Sequence, residues 1–192
     1  MSDEESYHSS EEENIDNTSF PILNLNDEKS EEEEENSLFG PDEETETETD
    51  KDYILPKNLT ILTFGDNFNQ NVDNLPSGIT TINFGRSFNK PVDNLPESLQ
   101  TISFGQNFNQ RVDNLPAGLR ELYFGDNFNQ PVNNLPDELI TLRFGRKFNQ
   151  KVDNLPRNLV SLDFGENFNQ DVSNLPETIN DLSFGESFNK KV

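Results

Sequence analysis

The sequence contains no cysteine and a single histidine, His8. Disulfide bonds and thiolate metal sites are therefore excluded, and a Ser/His/Asp or Cys/His catalytic arrangement cannot form in the part of the chain that lacks histidine. Apolar runs stay shorter than the about 18 residues of a membrane-spanning helix. Neither a G-x-G-x-x-G string nor a Gly-Lys-Ser/Thr string occurs, so a phosphate-binding loop is not expected. The sequence predicts no cofactor, no metal site and no enzymatic activity.

Basic residues are almost missing from the first part of the chain. Residues 1–50 contain twenty Asp and Glu against one Lys, a net charge of −19, whereas residues 51–192 contain seventeen acids against thirteen bases, a net charge of −4. An acidic segment with few apolar residues cannot bury enough surface to offset the entropy of ordering. We therefore expect a disordered acidic tail at 1–50 and one folded domain at 51–192. Because acids repel phosphates and no basic stripe is visible, nucleic acid is not an expected partner.

The acidic tail carries two further signals. Its first residues have neither the basic region nor the apolar region of a secretory signal, which predicts an intracellular, cytoplasmic protein with no membrane partner. Its one apolar island, at residues 20–25, is interpreted either as a short docking motif or as a cap over the first repeat. We favour the cap, because open ends of repeat arrays expose unpaired strand edges.

The remainder of the chain repeats with a period of 20 residues. A Phe followed by Gly recurs seven times, and four residues after each stands a second Phe followed by Asn. A fixed short period is typical of a solenoid, in which stacked coils bury apolar faces that no coil can bury alone. The columns predicted to be structural ladders are Phe64, Phe84, Phe104, Phe124, Phe144, Phe164 and Phe184; Phe68, Phe88, Phe108, Phe128, Phe148, Phe168 and Phe188; and Asn69, Asn89, Asn109, Asn129, Asn149, Asn169 and Asn189.

Spacings within one repeat predict its local structure. Leu62 and Phe64 stand two apart around a polar residue, which indicates a short half-buried strand. Phe68 and Val72 stand four apart, which favours an irregular or 3₁₀ turn over a strand. Leu75 precedes a proline and is therefore expected to be extended. The predicted fold is a β-solenoid of about seven coils with one parallel β-sheet and little or no α-helix.

Two small residues of the repeat receive structural interpretations. Gly65 and its equivalents are expected to adopt a positive φ or to permit close packing between the two Phe columns. The amide of Asn69 and its equivalents is expected to lie inside the coil and to satisfy backbone groups of a turn. Neither column is predicted to bind a ligand.

One string of the repeat carries a family resemblance. Residues 119–130 read Leu-x-x-Leu-x-Phe-Gly-x-x-Phe-Asn-Gln. This pattern resembles the FNIP-repeat family of amoebae and giant DNA viruses, and the likeness covers about residues 55–192, although the eponymous Phe-Asn-Ile-Pro string is absent and the period is shorter than is usual. The resemblance implies a leucine-rich-repeat-like solenoid, located in the host cytoplasm if the chain is viral. Many members carry an F-box, but residues 1–50 lack its apolar periodicity.

Function is expected where the repeat varies, on the outward side of the strands. The candidate protein-binding face comprises Glu121, Tyr123, Thr141, Arg143 and Asp163, because Tyr and Arg are enriched among interface hot spots. The alternative interpretation is a solvated face with a self-satisfied Arg–Asp pair. The first functional hypothesis is a scaffold that binds an unknown protein partner. The second is a structural or self-associating repeat protein without a dedicated ligand, joined end to end.

Overall fold

The computed structural model describes residues 55–191, and the strands there form one parallel sheet. The strands are β1 (Ile61–Thr63), β2 (Thr81–Asn83), β3 (Thr101–Ser103), β4 (Glu121–Tyr123), β5 (Thr141–Arg143), β6 (Ser161–Asp163) and β7 (Asp181–Ser183). They follow one another in chain order across the sheet, and each residue pairs with the residue 20 positions later. The predicted leucine-rich-repeat-like β-solenoid is confirmed. The predicted disordered tail at 1–50 and the proposed cap at 20–25 lie outside the described residues.

Each strand is short because only its middle residue points into the solenoid. Leu122 is fully buried, while Glu121 and Tyr123 on either side of it are half-buried on the outer face. This alternation is what a period of two produces in a strand with one buried face. Hydrogen bonds between coils continue past the strand end, since the Phe124 N–H donates to the Arg143 carbonyl at 2.9 Å. Three-residue strands are therefore stabilised by the ladder that crosses the whole stack.

The rest of each coil consists of tight turns. The Phe68 N–H donates to the Gly65 carbonyl at 3.1 Å, which confirms the turn at the glycine, and the Ile79 N–H donates to the Pro76 carbonyl at 3.3 Å. The segment from residue 68 to 72 is irregular, so the 3₁₀ interpretation is wrong and the irregular one holds. In this segment Asn69 Oδ1 accepts the Asn89 N–H of the next coil at 2.9 Å, so the segment is also bonded along the stack. Residues 55–191 contain no helix.

Two columns of phenylalanine rings fill the centre of the solenoid. Within a coil the two rings stack with centroids 3.6–4.1 Å apart. Between coils the centroids are 5.3–5.7 Å apart in the Phe64 column and 6.0–6.1 Å apart in the Phe68 column. Offset stacking of this kind adds to the free energy of burying apolar area. The rings therefore hold each coil together and also hold it to its neighbours.

The glycine column permits backbone contact between successive coils. A Cβ added to Gly85 would lie 2.1 Å from the Gly65 carbonyl oxygen, and five further glycines of the column meet the preceding coil in the same way. The φ angles from Gly85 to Gly185 lie outside the left-handed region, so the expectation of a positive φ is wrong. Close packing does require the glycine, but the contact joins two backbones and not the two Phe columns.

Candidate functional site

The outer face of the sheet carries two columns of side chains that change from coil to coil. One column runs along Glu121, Thr141 and Ser161, and the other along Tyr123, Arg143 and Asp163. The register places each residue directly beside its equivalent, one strand away. All five residues predicted for the protein-binding face therefore lie together on β4, β5 and β6. The two columns differ from coil to coil only in their side chains, because the backbone register is the same throughout.

The Tyr123 side chain forms a hydrogen bond with another residue of its own strand. Its hydroxyl donates to Glu121 Oε2 at 3.3 Å, and the Thr101 hydroxyl donates to the same carboxylate oxygen at 3.4 Å. Burial raises the pKa of the Tyr123 hydroxyl, and the neighbouring Glu121 carboxylate raises it further, while the Arg143 guanidinium opposes the shift. The ring is held in place by these contacts, and the side chain is half-buried. A fixed aromatic side chain of this kind loses little conformational entropy when a partner packs on it.

Arg143 and Asp163 form an ion pair across neighbouring strands. The Arg143 Nε lies 3.0 Å from Asp163 Oδ2, and the arginine side chain is still 62% exposed. Ser183 donates its hydroxyl to the other oxygen of the same carboxylate. An exposed pair of this type contributes about 0.2–1 kcal/mol to stability. The pair expected in the alternative interpretation is present, and most of the guanidinium surface remains open to a partner.

Two partly exposed apolar residues just before the strands were missed by the sequence analysis. Ile140 is 38% exposed, and the half-buried Val160 follows it in the next coil, with its N–H donating to the Ile140 carbonyl at 2.9 Å. Their column immediately precedes the strands and is polar at Thr80, Gln100 and Arg120. The sequence signal for them was the presence of apolar residues at this position in two successive repeats, where the other repeats have polar residues. They stand directly before Thr141 and Ser161, the first residues of β5 and β6.

The asparagine column lies at the surface and not inside the coil. Asn109 Oδ1 accepts the Asn129 N–H at 2.9 Å, and the same bond recurs from Asn69 through Asn189. The Gln130 amide also donates to Asn109 Oδ1, at 3.2 Å. The expectation that the amide lies inside the coil is therefore wrong, and the backbone group that it satisfies belongs to the next coil. The side chain closes a hydrogen bond to the next coil, and its role is structural.

The described residues offer little that could perform chemistry. No group of three or more His, Cys, Asp or Glu residues within 55–191 is arranged to hold a metal ion. Buried polar or charged side chains are also missing from this part of the chain. In the same range no helix is long and apolar enough to cross a membrane. The candidate site is a surface of half-buried and exposed side chains on the outer face of the sheet.

Each coil consists of one short parallel strand and an irregular return segment, and the coils stack in chain order. This architecture defines a solenoid repeat protein of the leucine-rich-repeat-like class. Models of the FNIP repeat match residues 51–74, 71–107, 108–147, 131–167 and 148–187. The chain belongs to the FNIP-repeat family. No curated protein matches it.

A solved structure supports the same architecture. The chain is similar to CroV588, a giant-virus protein described as having a novel circular LRR structure, with 41% sequence identity and a TM-score of 0.61. The match covers 72% of this chain and 25% of the other. The chain thus spans about a quarter of the length of that circular protein. The shared feature is the stacked coil.

Proposed function

We propose that the chain is a non-enzymatic scaffold that binds another protein through the outer face of β4, β5 and β6. The observation that carries the proposal is that Tyr123 and Arg143 are neighbours on two adjacent coils, with the partly exposed Ile140 three residues before Arg143. Tyr and Arg are enriched among interface hot spots, from which a bound partner excludes water. A hydrogen-bonded sheet suits such a partner, because side chains that are already ordered lose little entropy on binding.

The family and the fold agree with a role in binding. FNIP repeats and leucine-rich-repeat-like solenoids present surfaces, and fold alone does not determine chemistry. The side chains buried in the described range are apolar, and none of them is charged or polar. An intracellular, cytoplasmic location belongs to the same proposal, and fluorescence microscopy of the tagged full chain tests it.

The experiment compares three forms of the full chain as bait in cells that express it. The first is the wild type, and the second carries Tyr123→Ala and Arg143→Ala. The third carries Arg157→Ala and Glu177→Ala, two exposed positions on the return side of the coils. Proteins captured by each bait are identified by mass spectrometry. Circular dichroism of the purified forms checks that all three are equally folded.

The proposal predicts a defined partner that is captured by the wild type and by the return-side variant. The strand-face variant should lose that partner, because it removes two candidate hot spots at once. Equal capture by all three baits would reject the strand face as the binding site.

Self-association without a dedicated ligand is the second candidate function. It is favoured by Leu182, Phe184 and Phe188, which are only half-buried in the seventh coil. Under this candidate the bait captures mainly copies of itself, and the strand-face variant captures them equally well.

A further inference from the structure

Charge is distributed unevenly around the coils. In the second to fifth coils, the segments between the column glycine and the buried valine span residues 86–91, 106–111, 126–131 and 146–151. They contain six basic residues and one acid, a net charge of +5. The return segments that follow them span residues 93–98, 113–118, 133–138 and 153–158. They contain six acids and one basic residue, a net charge of −5. These coils therefore have a basic edge and an acidic edge.

The basic edge consists of exposed side chains that stacking brings together. Its six members are Arg86, Lys90, Arg111, Arg146, Lys147 and Lys151. Asparagine hydrogen bonds of 2.9 Å join the same segments from each coil to the next, so the segments lie side by side. The six residues are spread over 66 positions of the chain, which is why no basic stripe is visible in the sequence.

Most of the positive charge on this edge is not neutralised by neighbouring acids. The three lysines form no ion pair with any residue of the described range. Arg111 pairs with Asp113 at 2.7 Å and Arg146 pairs with Glu166 at 2.6 Å, but the two arginine side chains are 75% and 60% exposed. The one acid of the four segments is Asp126. The edge therefore suits an acidic partner.

We propose that the basic edge binds the acidic N-terminal part of its own chain, through the five consecutive glutamates at residues 31–35. Residues 1–50 carry a net charge of −19, and this run is their longest uninterrupted stretch of charge. The basic edge attracts the run, whereas the acidic edge repels it. Both effects act within a screening length of about 10 Å at 0.1 M salt. Charge thus directs the run to one side of the solenoid.

The run and the edge have similar lengths. Successive rings from Phe88 to Phe148, which lie within the basic segments, have centroids 6.0–6.1 Å apart. The three steps make the edge about 18 Å long. Five extended residues span at most about 17–18 Å. The glutamates are therefore numerous enough to contact the bases of the second and the fifth coil at the same time.

The same chain is favoured over a second copy or another polyanion. Nineteen residues separate Glu35 from Leu55, where the described domain begins. A flexible chain of about 20 residues has a root-mean-square span of about 25 Å, which exceeds the length of the edge. Attachment by such a chain gives an effective concentration in the millimolar range. The inference does not rest on the proposed partner-binding function, because none of the six edge residues belongs to the strand face.

Paramagnetic NMR of the full chain tests the contact, because the chain has no cysteine and accepts a single spin label. Glu33→Cys carrying a nitroxide is compared with its reduced form. Amide signals of residues 106–111 should lose intensity when the nitroxide is oxidised, and those of residues 113–118 should keep theirs. At 1 M salt, where charges are screened beyond about 3 Å, the loss should disappear.

Two triple variants of equal net charge, both labelled at position 33, separate the edge from charge in general. The first neutralises the lysines of the edge and carries Lys90→Gln, Lys147→Gln and Lys151→Gln. The second neutralises three exposed bases elsewhere and carries Lys57→Gln, Arg120→Gln and Arg157→Gln. The intensity loss at residues 106–111 should vanish in the first variant and remain in the second. The same spectra show whether both variants are folded.

Three results would overturn the proposal. The first is an equal intensity loss on the two edges of the labelled chain, and the second is a loss that persists in the variant without the edge lysines. For the third, spin-labelled chain without ¹⁵N is mixed with ¹⁵N-labelled wild type. A loss in that mixture would assign the contact to a second copy. No partner protein is present in any of these samples, so their outcome is independent of the strand face.

Discussion

A Cβ placed on Gly145 would lie 2.2 Å from the carbonyl oxygen of Gly125 in the preceding coil. Side-chain carbons do not approach backbone oxygens this closely, so the two coils would have to move apart. That movement would also stretch the hydrogen bonds and the ring stacks on either side of the contact. The glycine column therefore sets how tightly the coils stack.

The first prediction concerns this contact. Gly145→Ala should lower the free energy of unfolding by about 3 kcal/mol or more, because the clash falls on backbone that is tied to both neighbouring coils. Gly118→Ala is the matched control, since the nearest atom to its added Cβ is the Glu97 carbonyl oxygen at 3.9 Å. Urea denaturation measures both. Equal stability of the two variants would show that the coils are not in contact at the glycines.

The second prediction compares two positions of one phenylalanine column. Phe148 is fully buried between two neighbouring rings, whereas Phe188 is half-buried in the seventh coil. Phe148→Ala should cost about 3–5 kcal/mol of unfolding free energy, and Phe188→Ala should cost clearly less, because less apolar area is lost. The same urea titrations test this order at low protein concentration. A larger loss at Phe188 would contradict the position of the rings.

The third prediction concerns the asparagine ladder. Asn129 Oδ1 accepts the Asn149 N–H at 2.9 Å and the Gln150 amide at 3.1 Å. Asn129→Ala leaves these donors without that acceptor and should cost about 1–2 kcal/mol. Asn129→Asp keeps an oxygen in place and should recover most of the loss. Thermal unfolding of the three proteins distinguishes the outcomes, and an Asp variant as unstable as the Ala variant would argue against the hydrogen bond.

The fourth prediction follows from the Tyr123 hydroxyl. Burial and the Glu121 carboxylate raise its pKa above the ordinary value of 10.0. A raised pKa in the folded state means that the neutral hydroxyl contributes stability below pH 10, and that this contribution is lost as the pH rises through the folded-state pKa. In a Tyr7→Phe, Tyr53→Phe background, the ultraviolet absorbance titration should therefore report a midpoint above 10. Adding Glu121→Gln should lower that midpoint, and an unchanged midpoint would exclude the carboxylate as a cause.

Much of this fold could be predicted because the same pattern of apolar residues recurs every 20 residues. Leu62 in β1 and Phe64 just after the strand are both buried, and their spacing of two residues is sufficient to predict that they face the inside. Coils of equal length place equivalent residues side by side. That rule predicted the neighbours Tyr123, Arg143 and Asp163 on the outer face.

The remaining details depend on geometry that spacing does not encode. The sequence alone does not show whether a position requires glycine for a positive φ angle or for the absence of a Cβ. At Gly85 the absence of a Cβ is what matters, because the backbone contacts the preceding coil. An amide such as Asn69 can bond within its coil or to the next, and only the structure shows that it bonds to Asn89. Ile140 was not predicted, because only the outward positions of the strands were considered and Ile140 lies just before β5.

Amide hydrogen exchange of the full chain at low protein concentration tests the stacked solenoid most directly. The N–H groups of Phe64, Phe84, Phe104, Phe124, Phe144 and Phe164 all donate to the next coil. They should therefore exchange together and slowly, at rates set by opening of the stack, and Gly145→Ala should accelerate them. If these six amides exchange as fast as those of an unfolded peptide, the parallel stacking of the coils is wrong.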